Sequence, residues 1–249
     1  MKNFFIILLI LILNTPSFSQ EVIKNGCHRI RVYFNNESKD PFPGYWLDPP
    51  VNAFCTELPD SLHDKNLEIL REELQKYPPK LLRKIKRVFV FDSLRFYGKN
   101  FGGTYYKHII YYTDRGFSKM DIIRMIHHEF SSILLNRYRK KFDRRSWKDC
   151  LPDNFQYKSR GIDALMTPDA DLNYNDSLNA LGFLNKYAVY HFEEDFNSFA
   201  QHLWARDKEF WERLEQYPLL KEKAMLVISF YKSIAPELDE KFFSRIAGD

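Results

Sequence analysis

With 249 residues, 45% of them hydrophobic and 28% charged, the chain is too apolar for a disordered protein and long enough to build one globular core. Its formal net charge of +4 is too mild for a nucleic-acid-binding stripe, and the short basic runs at 83–87 and 137–141 read as solvated helix ends.

Lys2, the apolar run from Phe4 to Leu13 and the small-x-small triplet Ser17-Phe18-Ser19 have the layout of a signal peptide. Residues 1–19 are therefore expected to direct export, to the periplasm or beyond. No later run approaches the roughly 18 apolar residues that a membrane helix needs. Three cysteines, Cys27, Cys55 and Cys150, allow at most one bridge within the chain, and sequence does not choose the partners. Residues 20–59, punctuated by prolines, are expected to form an extended arm with one strand near Arg29 to Asn35, ahead of a single domain over 60–249. Leu67, Leu70 and Leu74 recur at helical spacing after Asp60, and Pro78-Pro79 stops that helix. A short helix over Lys80 to Ile85 follows, then a strand from Arg87 to Tyr97. Gly98 to Gly103 reads as a turn, and Thr104 to Thr113 as a second strand or hairpin arm.

The next helix organises the rest. Ser118 is placed to cap it, with Asp121 at the third helical position. On a wheel of about 100° per residue, Ile122, Ile123, Ile126, Phe130, Ile133 and Leu134 fall opposite His128. His128 and Ser132 project from the other face, one turn apart, and Glu129 lies on the border. In the pattern H-E-x-x-H two such His hold zinc while the Glu works as general base; here the last position is Ser132. From 143 to 175 no element is assigned. Asp169 to Asn175 imitates the start of a calcium loop, but Tyr174 stands where that loop needs Gly and Ala180 where it needs Glu. A helix from Tyr187 to Leu203 has a core stripe of Phe192, Phe196, Phe199 and Leu203. His191, Glu194, Asp195, Ser198 and His202 gather on one flank of it. Further helices between Glu209 and Phe243 break near Pro218 and Pro236.

The H-E-x-x-S helix, the later Gly182-Phe183-x-x-x-Tyr187-Ala188 and the Glu194-Asp195-Phe196 helix together resemble the secreted bacterial zinc-binding metallopeptidases of zincin type. The resemblance runs from about Val88 to the C-terminal helices. It implies an α+β, zincin-like fold: a small, mostly antiparallel sheet, a central active-site helix and a helical C-terminal half. It also implies Zn2+, with His128 as first ligand, Glu194 as third, Glu129 as general base and Asp195 as a carboxylate orienting a ligand. The second ligand falls on Ser132, a poor donor for zinc. His191, one turn before Glu194, is a candidate replacement, and Tyr187 a candidate oxyanion donor. His127 diverges too far from His128 to share one ion.

Readings from different classes follow. The chain is a secreted peptidase with an altered ligand set, attacking peptide bonds with zinc-activated water. Alternatively it is an inactive relative that binds extended peptides or a protein partner. A structural module that keeps the polar cluster as a relic is the third.

Overall fold

The computed structural model describes residues 20–25, 28–34, 41–158 and 171–248, so the expected leader, Cys27 and the first residues of the calcium-loop imitation lie outside the described residues. The chain is α+β, with a mixed seven-stranded sheet in the N-terminal half and mostly helices in the C-terminal half.

The N-terminal segment expected to hold one strand holds three. β1 (Gln20–Asn25) and β2 (His28–Tyr33) pair antiparallel, and β3 (Phe54–Glu57) follows a short helix, α1 (Gly44–Leu47). In β2, Ile30 and Val32 are buried between exposed arginines, the period-2 alternation of a strand with one covered face. α2 (His63–Leu74) and α3 (Pro79–Leu82) then form the crossover that lets β4 (Arg87–Phe96) run parallel to β2.

β4 divides its length. Its first half lies between β2 and β7 (Ile109–Thr113), parallel to both, and its second half pairs antiparallel with β3 and β5 (Lys99–Phe101). The sheet is thus mixed: two pairings at its centre are parallel and the other four are antiparallel, in keeping with the mostly antiparallel pairing expected. Tyr97 and Gly98, with φ of 54° and 74°, make the tight turn into β5, inside the stretch expected to be turn throughout. The chain continues through Gly102 into β6 (Gly103–Tyr106), turns at Lys107-His108, and returns as β7 between β4 and β6. β6 is consequently an edge strand, and the sheet order runs β1-β2-β4-β7-β6.

Side chains alternate across this sheet. Val88, Val90, Ile110 and Tyr112 face the helices, while Phe89, Phe91 and Tyr111 join Phe42, Phe96 and Phe101 on the other side. α4 (Lys119–Tyr138) begins where the sequence places it: Ser118 Oγ accepts from the Asp121 amide at 3.1 Å and donates to the Asp121 carboxylate at 2.7 Å. After α5 (Arg144–Asp149) and α6 (Asp176–Asn179) comes α7 (Phe192–Trp204), packed along α4. α8 (Lys208–Gln216), α9 (Pro218–Ile234) and α10 (Glu240–Gly248) close the helical half, with Pro218 opening α9 as expected. Among the described residues no helix is long and apolar enough to cross a membrane. Cys150 is buried, a free thiol that donates to the Ser146 carbonyl at 3.3 Å.

α4 is covered on both sides, which corrects the wheel's open polar face. His127 and Ser131 are fully buried, and Ser132 is only 2% exposed.

Candidate functional site

The site lies where α4 and α7 touch beside the edge strand. Phe196, Phe199 and Leu203 are fully buried in the core, which turns Glu194, Asn197 and Gln201, spaced three and seven residues apart, towards α4. His128 Nε2 then stands 3.1 Å from Glu194 Oε2, and His128 Nδ1 stands 3.0 Å from Gln201 Oε1. The polar chain continues: Gln201 Nε2 lies 3.3 Å from His202 Nε2, and His202 Nδ1 lies 2.6 Å from Asp207 Oδ2. Arg124 and the Tyr174 hydroxyl also donate to Asp207, at 2.6 and 3.0 Å. The amide orientation assigns the protons. The Gln201 carbonyl accepts, so His128 carries a proton on Nδ1; the Gln201 NH2 donates, so His202 has a bare Nε2 and a proton on Nδ1 for Asp207.

Charge gathers around His128. Burial alone would lower its pKa, but the hydrogen bond to Glu194 and the charges of Glu129 and Glu194 raise it to about 9. Glu129 is pushed up to about 8, first by burial and then by Glu194 and Glu193, against the opposing pull of His128. Glu129 sits against Gly103 of β6 so closely that a Cβ there would come within 2.9 Å of Oε1 and 3.1 Å of the Tyr111 carbonyl. Only glycine leaves that room. Tyr187 lies beside Glu194, its ring centre 6.4 Å from that of His128, and burial followed by the nearby carboxylates drives its pKa well up. Tyr105 of β6 faces Glu193 and Glu129, and burial followed by the Glu193 charge raises it similarly.

The structure therefore brings His128, Glu129, Glu194 and Tyr187 together, and sends the other expected residues elsewhere. His191 is not on the helix: it is the N-cap of α7, in extended backbone, and its Nδ1 accepts from the Glu193 amide at 3.3 Å. Asp195, expected to orient a ligand, turns away to a buried ion pair with Lys223 at 2.7 Å and accepts from Tyr157 at 2.7 Å. Ser132 Oγ accepts from Asn197 Nδ2 at 2.6 Å. His127 points to the opposite side of α4, between the Tyr77 hydroxyl at 2.8 Å and Glu73 at 2.7 Å. Sequence reasoning missed Gln201 and Glu193. Gln201 follows Glu194 at helical spacing and was open to the same wheel.

Zinc, which the resemblance implies, wants three protein donors and an open position. His128 Nε2 and Glu194 Oε2 are close to the separation of about 3.3 Å that ligands of one tetrahedral ion adopt. Among the described residues no third donor joins them: Ser132 is a neutral hydroxyl engaged by Asn197, His191 is engaged in capping, and no group of three or more His, Cys, Asp and Glu side chains is placed to hold a metal ion. No protein-family model, curated protein or solved structure matches this chain.

Proposed function

We propose that this chain is a zincin-type scaffold used to bind extended peptide segments, with its second-ligand position closed, so that it is a binding module and not a hydrolase. The observation behind this is the Asn197–Ser132 hydrogen bond of 2.6 Å. Both partners depart from the metallopeptidase pattern, which has His at the place of Ser132 and Ala at the place of Asn197, directly after Glu-Asp-Phe. The Asn197 NH2 and the Ser132 hydroxyl serve each other, while Asn197 Oδ1 is buried without a partner.

The peptide half of the reading is supported by β6. Thr113 N–H donates to the Gly102 carbonyl at 2.8 Å, and the two-residue turn at Lys107-His108 closes the same ladder at Tyr106 and Ile109. The alternation of an antiparallel pair then leaves the N–H and C=O of Gly103 and Tyr105 pointing away from β7. Among the described residues no strand pairs with that edge. An added peptide strand would use those groups, beside Glu129 and Glu194.

Elemental analysis after dialysis against zinc tests the closure. Wild type is expected to retain far less than one zinc per chain, and Ser132→His/Asn197→Ala to approach one. A full equivalent in wild type, lost in His128→Ala, would instead support the hydrolase.

A further inference from the structure

The groove beside β6 is bipolar. At one end Glu129 meets Gly103, and Glu193 lies close enough to Glu129 and Tyr105 for its charge to act on both. At the other end a cavity of about 260 Å³ is lined by Lys84, Tyr105, Lys107, His108, Asn136 and Arg137. No carboxylate lines it. Among the described residues none of Lys84, Lys107 and Arg137 forms an ion pair, although their nearest aromatic neighbours take up two of them: Lys84 stands over Tyr138 and Lys107 over Tyr106. His108 donates to the Lys84 carbonyl at 2.8 Å and so holds the rim of the cavity together.

The two ends are set apart by the elements that build the groove. Along β6, Gly103 to Tyr106 is three residues, roughly 10 Å at about 3.3 Å each, and Lys107 is the first residue of the turn just beyond it. Along the helix, Glu129 to Arg137 is eight residues, roughly 12 Å at about 1.5 Å each. The two rises are similar. Four residues of extended chain also bring side chains back to the same face, since the strand period is two. A peptide paired with β6 thus presents residues i and i+4 to opposite charges of the protein.

On the reading that β6 accepts an extended peptide, we propose that the groove selects peptides with a basic side chain and an acidic side chain four residues apart. The basic one lies by Glu193, beside Glu129, and the acidic one enters the cavity of Lys84, Lys107 and Arg137. Acidic side chains, and not a peptide's terminal carboxylate, are the fitting anion because they reach the cavity whichever way the peptide runs along β6.

Fluorescence polarisation on the full chain decides this, with a labelled, C-terminally amidated probe Thr-Lys-Thr-Val-Thr-Asp-Thr. Replacing its Asp by Asn, or moving Asp two residues closer to Lys, is expected to weaken binding about tenfold, the worth of one charge-assisted contact. Lys107→Glu/Arg137→Glu, both at exposed positions, is expected to weaken the Asp probe by about as much and to favour a probe with Lys in place of Asp. An Asn probe with a free C-terminal carboxylate that binds as well as the Asp probe would replace the side chain by the terminus and overturn the proposal. Equal binding of all probes, lost in Tyr105→Pro, would leave the edge-strand reading standing and remove the charge selection. No binding of any probe would remove both.

Discussion

His127 and His128 are neighbours on one helix and answer to opposite physics. His127 is fully enclosed by Tyr77, Glu73 and the stacked ring of Trp204, and burial pulls its pKa down despite Glu73. His128 keeps some contact with solvent, and the carboxylates of Glu194 and Glu129 raise it to about 9. The first ring has both nitrogens satisfied by groups of the core, and Glu73 in turn is paired with Lys76. The second stands in an excess of acid beside an open sheet edge. Adjacent residues about 100° apart on a helix can thus belong one to the framework and one to the site. The residue type alone does not distinguish them; the charge left uncompensated does.

The contrast is broken most directly by removing each ring. His127→Ala leaves the Tyr77 hydroxyl and part of Glu73 buried without a partner, and is expected to cost about 3 kcal/mol in urea unfolding. His128→Ala, compared near pH 10 where the ring has lost its charge, is expected to cost much less, since Glu194 reaches water. Equal losses would show that both rings are framework.

Acidity sharpens the same contrast. His128, raised in the fold, stabilises fully below its unfolded value near 6.5, and this contribution is lost as pH rises through about 9. Glu129, raised to about 8, adds to that slope. His127, lowered in the fold, acts oppositely, and its share is lost as pH falls below about 6.5. Thermal unfolding should therefore weaken on both flanks. The alkaline loss, up to about 3 kcal/mol from His128, should flatten in His128→Gln. A wild-type alkaline flank unchanged in that variant would contradict the charged state of the ring.

The smallest effect concerns the closed position. Asn197→Ala is expected to cost about 1–2 kcal/mol, because Ser132 Oγ loses its donor in a buried place. Adding Ser132→Ala should recover part of that loss. Double-mutant coupling near zero would separate two residues that are argued to be one replacement.

Much of the framework was legible because it depends on local chemistry. The Ser118 cap, the Val- and Phe-rich β4 and the proline that opens α9 stand where they were expected. β3 was not, since its partner β4 lies far along the chain and its proline-rich surroundings read as loop; β1 was missed although it pairs with the adjacent β2. The site was legible at its centre: His128 and Glu194 do meet. His191 was misplaced because α7 begins at Phe192, so helical spacing does not apply to a cap in extended backbone. Ser132 was assigned to an open face because a wheel describes one helix and cannot show that α7 lies over it.

The Gln201 amide stands between two imidazoles, accepting from one and donating to the other. If that amide turned over, His128 would have to surrender its Nδ1 proton and with it the positive charge of the ring, while His202 would need a proton on Nε2. The charge of one ring and the proton position of the other are therefore joined through the facing of one carboxamide.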